Sequence, residues 1–244
     1  MDIVDKTYWD KSYKDVVFKK HDTNDAIYKF IRKYIPKAVT EKNCLEIGSF
    51  PGTYLSELGE LGYTLNGVDF NEKNTNELPQ WLKSKGLNVG NFYSGDFRNV
   101  AINNQFDLVA SFGFIEHFTN FLEIITLHDK YVKLGGYLII TTPNYRGLFR
   151  NLIYKILAPE NYKKHYTPSM KPEKWASHLK SLNYKIIFKG YFGGYSIWID
   201  YEKRNWFQKI MLYLALRIVP RLGKIIPFES HHWSKNCGIV AVKA

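Results

Sequence analysis

Cysteine is scarce in this chain, and its scarcity excludes several kinds of chemistry. The 244 residues include only two cysteines, Cys44 and Cys237. Each lies in a short apolar run, NCLEI or NCGIV, where a buried thiol is expected rather than a disulfide or a pair of metal ligands. The sequence therefore predicts neither a disulfide framework nor a zinc site, and we expect no bound metal.

Long apolar runs are also missing. No stretch reaches the length of a transmembrane helix, and the N-terminal segment MDIVDKTYWDKSYKD is charged, without the apolar run of a secretory signal. We therefore expect a cytoplasmic protein. The sequence contains no internal repeat, and its length suits one domain with insertions around a single core.

Acidic residues are outnumbered in this sequence. Asp and Glu number 23 against 34 Lys and Arg, which gives a formal net charge of +11. Such a charge favours phosphates, nucleic acid or anionic lipid as partners. The basic residues are dispersed, however, and the sequence has neither a basic tail nor a base-flipping motif. We therefore favour a solvated basic surface and expect no specific nucleic-acid partner.

Short apolar runs alternate with amphipathic segments along the chain. The runs predict strands at 44–48, 65–69, 89–94, 106–112, 137–142, 184–190 and 238–242. Helical spacing predicts helices at 24–34, 53–61, 74–85, 118–133, 148–157 and 172–182, and Gly135 and Gly136 end the fourth of these. Alternation of this kind predicts an α/β protein with a doubly wound, mainly parallel sheet.

Three loops after the first three predicted strands suit an adenosine-like ligand. In the segment LEIGSFPGTYL, the chain turns through Gly48 and Gly52 into a helix, so that backbone N–H groups face a ligand at close range. Asp69 ends the second strand, where a carboxylate can accept hydrogen bonds from both ribose hydroxyls. After the third strand, Asp96 offers an acceptor for an adenine amino group and Phe97 an aromatic ring to pack on the base.

The order of these motifs resembles the class I S-adenosylmethionine-dependent methyltransferases, particularly the small-molecule branch that includes the ubiquinone-biosynthesis O-methyltransferases. The resemblance covers roughly residues 40–190 and continues through FDLV at 106–109, IEHF at 115–118 and LGGY at 134–137. It implies a Rossmann-like seven-stranded sheet, parallel except for a reversed last strand, with S-adenosylmethionine as cofactor. The cofactor-binding residues that it implies are Glu46, Gly48, Ser49, Gly52, Asp69, Phe70, Asp96, Phe97, Ser111 and Phe112.

The glycine loop departs from the family at one position, because Phe50 stands where a third glycine is usual. A nicotinamide-dependent oxidoreductase is an alternative, since it also uses a glycine loop and a later carboxylate. Its G-x-G-x-x-G fingerprint, however, requires the middle glycine that GSFPGT lacks. A non-catalytic S-adenosylmethionine-binding module is the second alternative, because Glu46, Asp69 and Asp96 predict a cofactor site but do not predict catalysis.

The resemblance implies an O-methyltransferase for a small hydroxylated acceptor, which is a sugar, a phenol or a lipid-linked compound. His117 follows the fourth strand at the edge where a crevice should open, and we predict that it is the general base, oriented by Glu116. Capping of the next helix is the alternative role for this pair. His165, which resembles a histidine before the penultimate helix of many relatives, is the second candidate. Residues 8, 9 and 13 supply aromatic rings for a lid over the sulfonium or for surface anchoring.

We divide the single domain 1–244 into an N-terminal helical lid at 1–40, a nucleoside-binding core at 41–143 and substrate-side insertions at 144–183 and 200–235. The stretch 206–219 in the second insertion is apolar. We interpret it as a lid on the acceptor site, with peripheral membrane contact as the alternative. Basic residues flank it at Lys203, Arg204, Arg221 and Lys224.

Overall fold

A computed structural model gives the fold and describes residues 2–20, 22–197, 199, 204–218, 221 and 229–244. The described residues form a seven-stranded sheet in the order β3-β2-β1-β4-β5-β7-β6. Neighbouring strands from β3 to β5 are parallel, and β7 runs antiparallel to both β5 and β6. The predicted sheet with its reversed last strand is confirmed. The strands are β1 (Asn43–Ile47), β2 (Thr64–Asp69), β3 (Val89–Ser94), β4 (Phe106–Phe112), β5 (Val132–Pro143), β6 (Tyr184–Phe192) and β7 (Asn236–Lys243).

Helices cover both faces of this sheet. Adjacent residues in β4 belong to different apolar cores, Leu108 to one and Val109 to the other, because successive side chains point to opposite faces. Strands buried on both faces are nearly continuous apolar runs, as the sequence of β4 is. The helices are α1 (Lys6–Ser12), α2 (Ala26–Tyr34), α3 (Thr53–Glu60), α4 (Lys73–Asn76), α5 (Leu78–Ser84), α6 (Phe121–Asp129), α7 (Leu148–Leu157), α8 (Pro159–Lys163), α9 (Pro172–Ser181) and α10 (Trp206–Tyr213).

The predicted helix at 74–85 is wrong in one respect, because two helices, α4 and α5, occupy that region. Pro79 lies in the first turn of α5. In one continuous helix its ring would clash with the carbonyl oxygen of Thr75, and it has no N–H to donate. The chain therefore ends one helix and begins another, with proline at a position that tolerates it.

The predicted helix at 118–133 is wrong at both ends. Ile115–His117 forms a 3₁₀ turn before the helix, and α6 ends at Asp129. Val132 already pairs with Phe106 in β4. Gly135 has a φ of 73° and lies in a bulge of β5, where the pairing register shifts, and not after the end of a helix.

The order of the sheet reverses between β1 and β4, because β2 follows β1 on one side and β5 follows β4 on the other. Connections from the two strands leave in opposite directions, so a crevice opens beyond their carboxyl ends. The glycine turn after β1, Asp69 at the end of β2 and the 3₁₀ turn after β4 all lie along this edge. The topology therefore brings the predicted nucleoside and catalytic residues to one side of the sheet.

The second insertion is described in part. It contains α10, and a π-helical stretch, Leu214–Ile218, continues that helix. Lys203, Val219 and Lys224 lie outside the described residues. Among the helices that the structure describes, none combines the length and the apolarity needed to span a bilayer.

Candidate active site

Two glycines shape the floor of a cavity at the carboxyl end of β1. Gly48 and Gly52 have φ values of 75° and 79°, a region that glycine adopts at little cost. A Cβ on Gly48 would lie 2.6 Å from the ring of Phe114, and a Cβ on Gly52 would overlap Leu78. Both glycines line this space, which we call the first cavity. The turn therefore excludes side chains at the two positions that sequence reasoning selected.

Glu46 lies in the wall of the first cavity, and it is buried. Its Oε2 atom has no hydrogen-bond partner within the described part of the chain. Burial, together with the nearby charge of Asp69, raises the pKa of Glu46 well above its ordinary value. A buried acceptor without a donor is costly unless a ligand supplies one, and an amino group would do so.

Asp69 lines the same cavity from the end of β2. Its two carboxylate oxygens accept hydrogen bonds from the backbone N–H groups of Phe50 and Asn71, at 3.2 and 2.8 Å. Burial raises the pKa of Asp69 to about 6, although both hydrogen bonds act in the opposite direction. The backbone bonds hold the carboxylate in place, and each oxygen keeps a lone pair that can accept from a ligand hydroxyl.

The third predicted loop contributes to the cavity in part. Gly95 and Phe97 line it, and Phe97 packs edge-on against Phe114 with ring centroids 5.4 Å apart. The carboxylate of Asp96 instead accepts hydrogen bonds from the guanidinium of Arg98, which also contacts Asp2 at 2.7 Å. Arg98 thus connects the carboxylate of Asp96 in this loop to Asp2 in the N-terminal segment.

The remaining predicted cofactor residues divide between the cavity and the core behind it. Ser49, Phe70 and Phe112 line the cavity. Ser111 is fully buried, and its hydroxyl lies 3.1 Å from Nε2 of His128. Ser111 therefore supports the strand rather than facing the cavity.

Sequence reasoning missed Asn74, which holds the glycine turn in position. The Ser49 hydroxyl donates to Oδ1 of Asn74 at 2.7 Å, and Nδ2 of Asn74 donates to the carbonyl oxygen of Tyr93 at 2.8 Å. Asn74 is fully buried, and it connects the glycine turn to β3. An asparagine within a predicted amphipathic helix carried no signal of this role.

Aromatic residues of α1 and its C-terminal end cover the cavity. Trp9 and Tyr13 stack with ring centroids 5.7 Å apart, and both line the first cavity. Tyr13 also packs edge-on against Phe50, and Ile3 donates a backbone hydrogen bond to the carbonyl oxygen of His117 at 2.9 Å. The N-terminal segment thus lies directly on the site, and its rings can face a cationic ligand.

A wider second cavity of about 1010 Å³ adjoins the first one. Glu116, His117 and His165 line it, and one ligand atom from each of the three lies within 4.8 Å of the others. The two imidazole rings are 4.9 Å apart, and Nε2 of His117 is 4.0 Å from Oε1 of Glu116. The structure therefore brings His165, the second candidate, next to the predicted pair of Glu116 and His117.

Backbone carbonyl groups determine the tautomers of these histidines. Nδ1 of His117 lies 2.8 Å from the carbonyl oxygen of Lys164, and Nδ1 of His165 lies 2.7 Å from that of Asn161. A carbonyl oxygen only accepts, so each Nδ1 carries the hydrogen and each Nε2 keeps its lone pair. The backbone carbonyl group of Lys164 therefore orients the imidazole of His117, whereas the sequence analysis had assigned this orienting role to Glu116.

Burial determines the charges of this cluster. It lowers the pKa of His117 to about 3, with a contribution from His165, and lowers the pKa of His165 to about 4. Burial also raises the pKa of Glu116 to about 8. At neutral pH both imidazoles are uncharged and Glu116 holds a proton, so the cluster offers neutral proton acceptors beside the cavity.

The first cavity fits S-adenosylmethionine on its own geometry. The unpartnered Oε2 of Glu46 suits an amino group, Asp69 suits vicinal hydroxyls, and Phe97 suits the face of a base. The glycine turn presents backbone to this cavity, because a Cβ at Gly48 or Gly52 would collide with Phe114 or Leu78.

A family model described as a methyltransferase domain matches residues 19–188. A curated relative, named ubiquinone biosynthesis O-methyltransferase, mitochondrial, from Dictyostelium discoideum, is 28% identical over 162 residues. That alignment covers 59% of this chain and 50% of the relative, so the chain spans about half the length of the relative it matches. The family match overturns the alternative of a nicotinamide-dependent oxidoreductase.

Solved structures share the fold over nearly the whole chain. A SAM-dependent methyltransferase from Archaeoglobus fulgidus has a TM-score of 0.57 at 20% identity, covering 98% of this chain and 100% of that one. One from Thiobacillus denitrificans, in complex with S-adenosyl-L-homocysteine, has a TM-score of 0.59 at 13% identity and covers 100% of both chains. The chain therefore belongs to the methyltransferase-domain family.

Proposed function

We propose that this enzyme methylates an oxygen atom of a small hydroxylated acceptor, a sugar, a phenol or a lipid-linked compound, bound in the second cavity. The observation that carries the proposal is the shared wall of the two cavities, because Trp9, Tyr13, Tyr54 and Gly113 line both. In-line displacement requires the methyl donor and the nucleophile in adjoining spaces at close range. Adjoining cavities of this kind satisfy that requirement.

In this proposal the first cavity holds the cofactor, which supplies a methyl group on a positively charged sulfur. Glu46 would accept a hydrogen bond from the methionyl amino group of S-adenosylmethionine, and Asp69 would accept from the ribose hydroxyls. Phe97 would pack against the adenine. The rings of Trp9 and Tyr13 line the same cavity, and an aromatic face there would attract the sulfonium. The lid formed by the N-terminal segment thereby excludes water from the reacting centre.

His117 is the general base in the same proposal. Bound S-adenosylmethionine would supply the methyl group, and the electron pair of the carbon–sulfur bond would remain on sulfur as the acceptor oxygen takes that group. The hydroxyl proton moves to Nε2 of His117, which the tautomer leaves free. A neutral imidazole is available for this step, because burial lowers the pKa of His117 to about 3. His165 lies close enough to take over the role.

The name of the Dictyostelium relative supports oxygen as the methylated atom. The test uses purified protein, S-adenosylmethionine with a labelled methyl group, and matched acceptors such as catechol and o-phenylenediamine. We expect labelled methyl ethers, identified by mass spectrometry and NMR. Exclusive N-methylation would contradict oxygen as the acceptor. Cofactor binding without transfer to any acceptor would instead indicate a non-catalytic binding module.

We also propose that α10 contacts an anionic membrane surface and thereby gives an amphiphilic acceptor access to the second cavity. Trp206 is 74% exposed, and several other large apolar side chains on this segment are also exposed, namely Phe207, Ile210, Tyr213, Leu214 and Leu216. Exposed basic side chains accompany them at Lys209, Arg217 and Arg221. A helix with an apolar face and basic neighbours is typical of interfacial binding.

A further inference from the structure

A cation is buried in the wall of the second cavity. Arg150, on α7, lines this cavity and is only 1% exposed. Its Nε donates to the carbonyl oxygen of Asn144 at 2.6 Å, and its Nη1 donates to those of Ser196 and Trp233 at 3.1 and 3.2 Å. These partners are neutral. Within the described part of the chain, no carboxylate pairs with this guanidinium.

The third guanidinium nitrogen of Arg150, Nη2, has no short hydrogen bond within the described residues. Nη2 carries two hydrogens, and within the described residues its hydrogen bond is a long one, 3.4 Å, to the hydroxyl of Tyr154. The guanidinium carbon lies 5.6 Å from the ring centroid of Tyr154 and 6.0 Å from that of Tyr195. Burial lowers the pKa of Arg150, as expected for a cation without an opposite charge beside it.

Other groups that line the second cavity make it positive. Lys11, Lys164 and Lys235 add three cations. Asp25 is an opposing acid, but its carboxylate caps α2 by accepting backbone hydrogen bonds and lies 3.8 Å from the Lys235 ammonium. The second acid, Glu116, holds its proton at neutral pH, because burial raises its pKa to about 8. Among the described residues that line it, positive charge therefore exceeds negative charge around the space in which the acceptor would bind.

We infer that the methyl acceptor carries an anionic group, a carboxylate or a phosphate, and that Nη2 of Arg150 binds this group. A buried charge is stable when it is paired, and a guanidinium matches the planar oxygens of these anions in charge and geometry. The inference rests on the proposed function in one respect, because it takes the second cavity as the acceptor site. It does not depend on whether the methylated atom is oxygen or nitrogen.

The alternative role for Arg150 is purely structural, namely to hold segments of the chain together. Its hydrogen bonds join Asn144, Ser196 and Trp233, which come from three different segments of the chain. A purely structural arginine would contribute to folding stability and would give the cavity no preference for anions. Measuring anion binding separately from stability distinguishes the two roles.

The experiment measures the binding of small probes by calorimetry to protein saturated with S-adenosylhomocysteine, at constant ionic strength. Benzoate and phenyl phosphate are the carboxylate and phosphate probes, and benzyl alcohol is the neutral control. Arg150→Met removes the charge, Lys164→Gln removes a second cation of the cavity, and Lys180→Gln is a matched control on an exposed lysine outside it. The affinity for S-adenosylhomocysteine reports whether each variant remains folded.

We expect at least one anion to bind wild type more tightly than benzyl alcohol does. Arg150→Met should weaken that binding roughly ten- to hundred-fold, because a charge-assisted hydrogen bond is lost, while cofactor affinity stays unchanged. Lys164→Gln should have a smaller effect, and Lys180→Gln none. Preference for benzoate or for phenyl phosphate identifies which anion the site takes.

Two results would overturn the inference: anions bind wild type no better than benzyl alcohol, or Arg150→Met binds them as wild type does. If Arg150→Met fails to fold, Arg150→Gln and Lys164→Gln decide the question, and unchanged anion binding in both contradicts the role. Because methyl transfer is not measured, failure of the proposed O-methylation would leave this result standing.

Discussion

The indole of Trp9 packs edge-on against the imidazole of His117, with ring centroids 4.9 Å apart and an angle of 85° between the planes. Trp9 also lines both cavities. One residue of the N-terminal segment therefore touches the proposed base and faces the cofactor space.

The first prediction concerns Trp9. Trp9→Ala should weaken binding of S-adenosylmethionine by about 0.5–2 kcal/mol more than it weakens binding of S-adenosylhomocysteine, because only the sulfonium gains from a cation–π contact. Calorimetry with both nucleosides measures the difference. Trp206→Ala is the matched control, since Trp206 is exposed and lies in neither cavity wall. Equal losses for the two ligands would show that Trp9 contributes packing alone.

The second prediction concerns Asp69. Burial raises its pKa to about 6 from an ordinary value of 3.8, so the native state binds this proton more tightly than the unfolded chain does. The free energy of unfolding of ligand-free protein should therefore rise as pH falls from about 6 towards 4, by up to roughly 3 kcal/mol from this group. Asp69→Asn should lack that increment. Urea unfolding of both proteins at pH 6.5 and 4.5 measures it, and identical pH dependence would contradict the prediction.

Local sequence patterns predicted the glycine turn well, because Gly48 and Gly52 act through their own backbone conformation. The same reasoning could not place Asp96, whose carboxylate is held by Arg98, an arginine that also bridges to Asp2 in the N-terminal segment. Contacts between residues far apart in sequence depend on the packing of whole elements. No local pattern records them.

The cluster of Glu116, His117 and His165 shows the same limit. Sequence reasoning selected His117 and His165 separately, and their adjacency depends on how residues 158–166 return to the sheet edge. Position alone also gave no indication that burial would lower both imidazole pKa values so far below the ordinary range. The alternation of strands, in contrast, predicted the sheet well, because periodicity is a property of neighbouring residues.

The third prediction concerns His117. His117→Ala should lower turnover by about 10²–10⁴ and leave cofactor affinity nearly unchanged, because the proton acceptor is lost. In wild type, kcat at saturating substrates should show no loss through the ordinary histidine range, since the pKa of His117 is lowered to about 3 and the base stays unprotonated above it. His232→Ala, on an exposed residue outside both cavities, is the control. Turnover that survives His117→Ala would transfer the role to His165.

The fourth prediction concerns metal. Glu116, His117 and His165 could together offer three ligand atoms, but the positively charged cavity around them disfavours a divalent cation. We therefore expect turnover to be unchanged after exhaustive dialysis against EDTA. Turnover is compared before dialysis, after dialysis and after addition of Zn²⁺ or Mg²⁺. Activity that is lost to EDTA and restored by one ion would show that this cluster is a metal site.

The fifth prediction concerns α10 and the membrane. Each basic residue near an anionic surface contributes about 1 kcal/mol, and salt weakens that attraction. Wild type should therefore co-sediment with phosphatidylserine vesicles at low salt, and less so at high salt. A triple variant, Trp206→Ser with Phe207→Ser and Leu214→Ser, should lose this binding, because it removes exposed apolar side chains that would enter the interface.

Cofactor binding by the variant shows that it remains folded, and vesicles of neutral phosphatidylcholine control for binding that does not depend on charge. A lid without membrane contact predicts a different outcome, namely that neither protein binds vesicles and that the variant alters only the KM for a soluble acceptor. Salt-sensitive binding that the variant retains would also contradict the role of α10, because the attraction would then come from the dispersed basic surface of the domain.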